Sequence, residues 1–481
     1  NRSTIIASGD YSGGLCGEEY GSIINSYNLS EVSGSNLIRG ICGSIDGTGE
    51  VENCKNMSTV SATTNNVGGI SGQNKGGTIR NSKNTGKIIG VNHVGGICGQ
   101  NYSTITAGIN EGVVDATGKS VGGLCGAKYG GDVTNSYNIG SVKGGDYVGG
   151  ILGYSSLGSL VNCFNASIVS GSTNNVGGVC GNNNSGTLTN CYHDSNSYGG
   201  QAVGSANGTI TQVEGKTTEQ FKSGEVAYLL AQGTDGSVWG QQLGVDNYPV
   251  LNSAYKLIVT TKGNNNTYWS TFSNLNSDVT LSVPSGRILK VYNATVSEGT
   301  LTLSERNYNQ VAKGEGVLLK SDDVYVNVKA NENNELTGET YDNNNLMATP
   351  SDVGTITADD GYKLYRLTYN NSTDKTGLGF YLSLVKDENG KVDNTSLGKK
   401  LKVTPGKAYL KVAKSASGSA PIRGFVIGED DNTTGIDVIT INGIDTNDSK
   451  VDDSVYDLMG RKVSKPAKGI YIKNGKKVII K

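Results

Sequence analysis

The stretch VGGLCG, at Val121–Gly126, is one copy of a phrase that recurs along the first two hundred residues. The copies are SGGLCG at Ser12–Gly17, RGICG at Arg39–Gly43, VGGISG at Val67–Gly72, VGGICG at Val94–Gly99, VGGLCG itself, VGGILG at Val148–Gly153 and VGGVCG at Val176–Gly181. The glycine before the aliphatic residue returns at steps of 26, 29, 27, 27, 27 and 28 residues. Such a period is typical of stacked units that cannot bury their own apolar faces. It predicts a repeat protein whose function lies on a long surface.

Each repeat has the composite form VGGICGxNxGTIxNSYNxGxVxGxxx and contains three short β-like pieces. Gly and Asn separate these pieces, and both tolerate the left-handed backbone that corners require. We therefore predict a parallel β-solenoid of about seven coils, with successive coils about 4.8 Å apart. One position holds Asn25, Asn53, Asn81, Asn135, Asn162 and Asn190. We expect a hydrogen-bonded asparagine ladder there, with a row of sugar-binding Asn side chains as the alternative.

The eight cysteines fall at two positions of the repeat. The first holds Cys16, Cys42, Cys98, Cys125 and Cys180, and the second holds Cys54, Cys163 and Cys191. Other coils place Ser71 and Leu152 at the first position and Ser or Gly at the second. Because a disulfide or metal framework would not accept these replacements, we predict free thiols in a tight interior. Disulfides between neighbouring coils and a metal site are the alternatives.

The repeat ends near residue 214, and two different sequence patterns follow it. Thr217 and Gln220 have the spacing of a capping box, so we predict a helical cap and connector over 215–254, with the helix covering the open end of the solenoid. Alternating apolar strands over 255–430 predict an antiparallel β-sandwich. After the acidic run at 429–431, a basic segment at 436–481 predicts a small C-terminal β domain. The fold class is all-β, with the solenoid over 1–214.

Composition and charge exclude two classes of partner. Lys and Arg number 41 against 43 Asp and Glu, so the net charge of −2 gives no basic field for nucleic acid. No apolar run approaches the roughly 18 residues of a membrane span, so we expect no transmembrane segment. The chain begins at Asn1 rather than methionine, and we interpret it as a processed or truncated product.

The repeats offer little for catalysis. Asp and Glu occupy no position in common between coils, and coils 69–95 and 150–176 contain neither residue. The two histidines have no metal-site spacing. On a strand, Cys191 and His193 would share a face while Asp194 points away, which separates a nucleophile from its base. We therefore predict no enzyme activity, no cofactor and no metal.

Tyrosine is the residue type that suggests a ligand. There are 25 tyrosines against five phenylalanines. The candidate binding residues, close to the outer strand of the repeat, are Tyr27, Tyr102, Tyr137 and Tyr192. Exposed tyrosines can stack on sugar rings, which gives a glycan-binding hypothesis. The ordinary preference of tyrosine for strands is the alternative explanation.

Two parts of the chain resemble known families. The G-[LIV]-[CS]-G phrase, repeated over roughly residues 10–200, resembles the GLUG motif of bacterial surface and secreted proteins, including the non-catalytic part of IgA1-peptidase-like proteins. That resemblance implies a right-handed β-helix and an adhesive role at the cell surface. The tail resembles the C-terminal sorting domain of Bacteroidetes proteins exported by type IX secretion, through Val455–Val463, Gly469–Ile472 and Lys476–Lys481. It implies delivery by the outer-membrane secretion machinery.

Together these patterns predict a secreted or cell-surface, adhesin-like binding protein that is not catalytic. Its partner would be an unknown host or microbial glycan or protein. The alternative is a carbohydrate-binding protein, or the non-catalytic part of a larger polysaccharide-degrading enzyme or peptidase. A column of surface tyrosines with nearby amide or acidic groups would favour the alternative, and a flat polar surface would favour the first function.

Overall fold

The computed structural model forms two compact units, Asn1–Leu257 and Ile258–Lys481. It describes residues 4–7, 12–35, 38–172, 174–232, 238–264, 266–331, 343–350, 354–371, 376–383, 397–414 and 424–427, and four strands beyond residue 454. Side chains in those last four strands are not described. Among the residues that the structure does describe, no helix is both long and apolar enough to cross a bilayer.

The first unit is a parallel β-solenoid of about seven coils, as the period predicts. The coils add strands to four sheets, which we name A to D, and each of the first five coils adds two short strands to sheet D. Sheet A contains Ile5–Ala7, Val32–Gly34, Val60–Ala62, Ile88–Gly90, Val114–Ala116, Val142–Lys143 and Val169–Ser170. Sheet B contains Ser12–Gly13, Ile38–Arg39, Asn65–Gly68, Asn92–Gly95, Lys119–Gly122, Asp146–Gly149 and Val176–Gly177.

Sheets C and D complete each coil. Sheet C contains Cys16–Glu19, Cys42–Ile45, Ser71–Asn74, Cys98–Asn101, Cys125–Lys128, Leu152–Ser155, Cys180–Asn183 and Val203–Ala206. Sheet D contains Ser22–Ile24, Tyr27–Asn28, Glu50–Glu52, Lys55–Asn56, Thr78–Arg80, Lys83–Asn84, Thr104–Thr106, Ile109–Asn110, Val133–Thr134, Tyr137–Asn138, Ser159–Asn165, Thr187–Asp194 and Thr209–Lys216. The cysteine columns lie in the core between sheets C and D, and a valine-rich core lies between sheets A and B.

A buried column of asparagines holds successive coils together, and it differs from the predicted one. Its members are Asn28, Asn56, Asn84, Asn110, Asn138 and Asn165, all fully buried. In each of the first five, Nδ2 donates to the Oδ1 of the next residue in the column, at 2.7–2.8 Å. We call this column the asparagine ladder. It satisfies the side-chain amides without water, which a buried polar group requires.

The ladder also explains the glycine of the repeated phrase. A Cβ on Gly96 would lie 2.2 Å from Cγ of Asn110 and 2.3 Å from the carbonyl oxygen of Gly123. The same conflict arises at Gly69, against Asn84. Because neither the backbone nor the ladder can move aside, any side chain here would separate the coils. The second glycine of the VGGICG phrase and the second Asn of NSYN therefore pack directly against each other.

The predicted column of Asn25, Asn53, Asn81, Asn135, Asn162 and Asn190 is not the ladder. These residues occupy a corner with φ between 48° and 54°, and Ala107 takes the same position with φ 52°. Asn tolerates this left-handed conformation better than most residues. The backbone conformation, rather than a hydrogen bond of the side-chain amide, therefore explains why asparagine recurs at this position. Among the described residues of this column, only Asn190 and Asn162 are hydrogen bonded to each other, at 2.7 Å.

Two helices follow the solenoid, at Thr218–Lys222 (α1) and Glu225–Gln232 (α2). The predicted capping box is confirmed, because Gln220 N donates to Thr217 Oγ1 and Thr217 N donates to Gln220 Oε1. The helices pack against the outer side of sheet D, where Phe221 and Leu230 join Phe164 and Tyr192 in one cluster. A short hairpin of Trp239–Gly240 and Val250–Leu251 completes this unit.

The helices therefore cover the flank of the last coils. We predicted that they would cover the open end of the solenoid, but they leave most of its final strand exposed. In Thr209–Lys216 the first four side chains remain exposed. The physical reason is the aromatic column at Phe164 and Tyr192, which gives the helices an apolar stripe on the flank. The final coil offers mainly polar side chains, so burying it would gain little.

The second unit is built from antiparallel sheets, as predicted for this part of the chain. Sheet E contains Tyr255–Val259, Tyr325–Ala330, Val279–Ser282 and Gln310–Val311. Sheet F contains Lys262–Asn264, Thr267–Ser273, Gly316–Ser321, Leu289–Ser297 and Thr300–Glu305. Sheet G contains Leu346–Ala348, Ala408–Ala413, Tyr362–Asn371, Thr376–Leu382 and Gly424–Val426, and a two-stranded sheet contains Thr355–Thr357 and Lys400–Lys402.

Sheet F is covered on both faces, so the unit has three layers where a sandwich has two. Val317 and Leu319 pack into the core shared with sheet E, and Leu318, between them, packs into the core shared with sheet G. Residues on a strand alternate between faces, so a strand buried on both faces is a continuous apolar run. The run GVLLK at 316–320 fits this arrangement.

The C-terminal segment contains a four-stranded antiparallel sheet. Its strands are Lys462–Val463, Val455–Tyr456, Gly469–Lys473 and Lys476–Ile480. They coincide with the three stretches that resemble a sorting domain. The acidic run at 429–431 and residues 436–454 lie outside the described part of the chain.

Candidate binding surface

The four predicted tyrosines do not form one site. Tyr27, Tyr137 and Tyr192 share a column of sheet D. Lys55, Lys83, Ile109 and Phe164 lie between them, and Glu214 follows Tyr192. Tyr27, in the first strand of this column, is 55% exposed, whereas Tyr192, beside the helices, is 1% exposed. Tyr102 belongs to a different part of the coil and is 42% exposed.

Tyr137 and Tyr192 are structural residues beneath the helices, so the expectation that they lie exposed is wrong. Tyr137 stacks on Phe164, with ring centroids 5.0 Å apart and an interplanar angle of 4°. The Tyr192 hydroxyl donates to Asn190 Oδ1. Burial raises the pKa of each tyrosine to about 12. Their rings stabilise the contact with α1 and α2.

Tyr102 instead belongs to a group of aromatic side chains beside sheets B and C. Its ring stacks on that of Tyr129, with centroids 5.3 Å apart. Tyr129 lies 5.8 Å from Tyr154, and Tyr154 lies 6.1 Å from Tyr147. The imidazole of His93 meets the edge of Tyr129 at 6.3 Å. We call Tyr102, Tyr129, Tyr147, Tyr154 and His93 the tyrosine platform.

The register of sheet C produces the platform. Asn101 and Lys128 are paired and are the last residues of their strands. Tyr102 and Tyr129 come directly after them and so lie in equivalent places of successive coils. Their backbone N–H groups donate at 2.8 Å to the coil before, to Asn74 O and Asn101 O. Tyr154 comes from the next strand, where it pairs with the small residue Ala127. Parallel stacking therefore sets aromatic rings in successive coils side by side.

Amide side chains fix the centre of the platform. Gln73 Nε2 donates to Gln100 Oε1 at 3.3 Å, and Gln100 Nε2 lies 3.3 Å from His93 Nδ1. Burial and the charge of Lys119 lower the pKa of His93, so its ring is neutral near pH 7. An amide nitrogen only donates, so Nδ1 accepts and Nε2 carries the hydrogen. That N–H faces the Tyr129 hydroxyl at 3.4 Å.

The side chains of this surface are those that commonly contact ligands through stacking and hydrogen bonds. Its members are aromatic rings, amides and one neutral imidazole, and burial beside Tyr102 and Tyr154 raises the pKa of the Tyr129 hydroxyl. Aromatic rings with a polar tip bind amphipathic ligands through an apolar face and a directed hydrogen bond. Within the described residues, no group of three or more His, Cys, Asp or Glu side chains is placed to hold a metal.

Several acidic residues of the solenoid pair with bases of neighbouring coils. Lys83 Nζ lies 2.6 Å from a carboxylate oxygen of Glu111, and Lys87 Nζ lies 3.1 Å from Asp115. Arg80 reaches both Glu50 and Glu52. These half-exposed pairs contribute about 0–1 kcal/mol each to stability.

The eight cysteines are free thiols in the structure, and seven of them are buried. Cys16 Sγ donates to Cys42 Sγ at 3.1 Å, and burial raises the pKa of Cys125, Cys163 and Cys180. Because high pKa values keep thiols protonated and unreactive, we predict that a thiol reagent modifies at most Cys16 in the native protein and all eight after denaturation. Mass spectrometry of both samples measures this. Recovery of few thiols after denaturation would contradict the prediction.

Comparison with known proteins does not assign this chain to a family. No family model matches this chain, and neither does any curated protein. Among solved structures, the chain is similar to one described as a "putative immunoglobulin A1 protease" from Bacteroides ovatus, at 23% identity and a TM-score of 0.37. The similarity covers 47% of this chain and 74% of that one. A likeness of this size supports no conclusion about activity or ligand.

Sequence reasoning missed four members of the platform. Tyr102 and Tyr129 are six residues after their anchor glycines, Gly96 and Gly123, so their shared position was visible in the repeat. Tyr147, Tyr154 and His93 come from other positions. No single column of the repeat contains them, and only the folded coil brings them together.

Proposed function

We propose that this chain is a non-catalytic binding protein whose solenoid presents the tyrosine platform to a carbohydrate. The observation that carries the proposal is the run of contiguous rings Tyr102, Tyr129, Tyr154 and Tyr147 across successive coils. Tyr102 and Tyr129 share one column of the repeat, and amide side chains lie beside them. Surface tyrosines in a column with neighbouring amides favour carbohydrate binding over plain adhesion.

The spacing of the rings suits an extended ligand. Coils of a parallel solenoid rise by about 4.8 Å, and the first three rings lie 5.3 and 5.8 Å apart. A linear oligosaccharide that runs along the solenoid axis would meet a new ring at each coil. The C–H faces of its sugar rings would pack on aromatic carbon, while its hydroxyls would bond Gln73, Gln100 and the Tyr129 hydroxyl.

A protein ligand is the second candidate. Tyrosine is also enriched in protein–protein interfaces, where its rigid ring contributes contact area and its hydroxyl a hydrogen bond. The adhesin-like role implied by the resemblance to GLUG-motif proteins would use the same surface. The two candidates therefore differ in ligand and agree on the residues.

An array of oligosaccharides and extracellular-matrix proteins distinguishes these functions. The full chain is applied as wild type, as the double variant Tyr129→Ala/Tyr154→Ala and as the control Tyr20→Ala, which removes a tyrosine that is 66% exposed outside the platform. We expect oligosaccharide binding by the wild type and the control, and at least a tenfold loss in the double variant, because each aromatic contact contributes about 0.5–1.5 kcal/mol beyond its buried area. Binding to proteins alone would support the second candidate. Equal binding by all three chains would contradict the platform.

We propose in addition that the protein acts outside the cell or on its surface. The support is the resemblance of Val455–Val463 and Gly469–Ile472 to a sorting domain that outer-membrane secretion machinery recognises. A ligand of host or microbial origin fits that location.

A further inference from the structure

A basic cavity lies in the second unit, where sheet F meets sheet G. Its volume is about 290 Å³. Four of its lining residues are cations, and they come from four different strands or turns: Lys262, Arg366, Lys402 and Lys407. Among the described residues that line it, none is Asp or Glu. The tyrosine platform takes no part in this cavity, so the two sites are independent.

Lys407 is the central cation. Its Nζ donates to Ser270 Oγ at 2.7 Å and to Val259 O at 3.4 Å. Both of these described acceptors are neutral groups. Burial and the charge of Lys262 lower the pKa of Lys407, and burial and the charge of Arg366 lower the pKa of Lys262. The cations therefore repel one another. An anion placed among them would relieve that repulsion.

The backbone around Lys407 is fixed before any ligand arrives. Thr349 Oγ1 donates to Lys407 O at 2.8 Å, and Ser273 Oγ donates to the same oxygen at 2.6 Å. On the next residue, Ala408 N donates to Thr271 Oγ1 at 3.2 Å. Contacts from two sheets therefore position the lysine, and a ligand would not have to order it. Preorganisation of this kind lowers the cost of binding.

The other residues that line the cavity suit an organic molecule rather than an inorganic ion. Trp269 and Tyr409 are aromatic residues of the wall, and Thr261, Thr349 and Thr404 add hydroxyl groups. Trp269 is itself held by a stack on Tyr292, with ring centroids 6.0 Å apart. A volume near 300 Å³ is at the lower end for ligand pockets and fits a molecule of monosaccharide size.

We propose that this cavity binds a small sugar that carries an oxyanion, either a carboxylate or a phosphate. Its anionic group lies against Lys407 and Lys262, with Arg366 and Lys402 at the more exposed side. Charge-assisted hydrogen bonds of this kind are about twice as strong as neutral ones. The sugar ring packs beside Trp269. Neutral sugars of the same size lack the group that the cations require.

Isothermal titration calorimetry of the full chain tests the proposal. The probes are glucuronate, glucose 6-phosphate, inorganic phosphate and glucose. We expect one or both sugar anions to bind at least tenfold more tightly than glucose and inorganic phosphate, and more weakly as sodium chloride is raised. The stronger of glucuronate and glucose 6-phosphate identifies the oxyanion. Equal binding of glucose, binding of inorganic phosphate as tight as that of the sugars, or no binding of either sugar anion at millimolar concentration would overturn the proposal.

Three variants locate the site. Lys407→Met should weaken sugar-anion binding at least tenfold, and Lys402→Met, at an exposed residue, should weaken it severalfold without disturbing the fold. The control is Lys313→Met, which removes an exposed lysine outside the lining of the cavity. Unchanged affinity in Lys402→Met and in a folded Lys407→Met, or an equal loss in Lys313→Met, would show that the anion binds elsewhere. The Tyr129→Ala/Tyr154→Ala chain should bind normally, which separates this site from the platform.

Discussion

Replacement of Asn84 by alanine is expected to lower the free energy of unfolding by about 2–5 kcal/mol, since each buried polar group left unpaired costs about 1–3 kcal/mol. Asn84 lies in the middle of the asparagine ladder and is fully buried. Its Nδ2 donates to Asn110 Oδ1 at 2.8 Å and to Gly86 O at 2.9 Å, and its Oδ1 accepts from Asn56 at 2.8 Å. Alanine leaves these partners unmatched in a space that water does not reach.

Thermal and urea denaturation of the full chain measure the effect. The control is Asn184→Ala, because Asn184 is exposed and its side chain donates only to Ser185 among the described contacts. A surface change of this kind stays within about 0.5 kcal/mol. If Asn84→Ala and Asn184→Ala lower stability equally, the ladder does not hold the coils together.

Replacement of Lys128 by asparagine is expected to stabilise the protein at pH 7, by up to about 3 kcal/mol, since one pKa unit corresponds to about 1.4 kcal/mol. Lys128 is fully buried, at the position that Asn74 and Asn101 occupy in the coils before it. Its Nζ donates to Leu157 O, and burial lowers its pKa from 10.5 to about 8. Asn74 Nδ2 donates to Asn101 Oδ1 at 2.9 Å, so a third asparagine extends that short row.

The pH dependence of the free energy of unfolding shows whether the buried charge of Lys128 causes the difference in stability. Below about pH 8 the folded protein must keep the buried ammonium charged, which destabilises it. Between about pH 8 and 10.5 the unfolded chain binds the proton that the folded chain has lost, so wild-type stability rises with pH relative to the variant. Denaturation of both chains at pH 7, 8, 9 and 10 measures the difference. An advantage of Lys128→Asn that does not shrink above pH 8, or a less stable variant at pH 7, would contradict this account.

The period of the repeat was sufficient to predict the solenoid, because every coil must repeat the contacts of its neighbours. The cysteine column is an example, with Ser71, Cys98, Cys125 and Leu152 in register as their spacing indicates. The predicted ladder is at the wrong asparagine of NSYN. The first asparagine is at a left-handed corner, which alanine also occupies at Ala107, whereas the second is asparagine in six consecutive coils. Alanine has no side-chain amide, so its presence at the first position was the sign that no side-chain hydrogen bond is required there, whereas the second position changes only in the seventh coil, to His193.

Packing between elements could not be predicted in the same way. The capping box at Thr217 predicted where the helix begins, since that signal is local. It contained no information on which surface the helix would cover, and Phe164 and Tyr192 decided that. The third layer of the second unit likewise depends on which strands meet. The tyrosine platform combines three positions of the repeat, so no pattern in one column predicts it.

Footprinting of tyrosines by hydroxyl radicals tests most directly whether the platform is the ligand-binding surface. The full chain is oxidised with and without the oligosaccharide that it binds most tightly on the array, and modification is measured residue by residue. The account predicts protection of Tyr102, Tyr129 and Tyr154, with no change at Tyr20 and Tyr27, which are exposed outside the platform. Protection of Tyr27 in place of Tyr102, or unchanged oxidation of all three platform tyrosines with ligand bound, would contradict it.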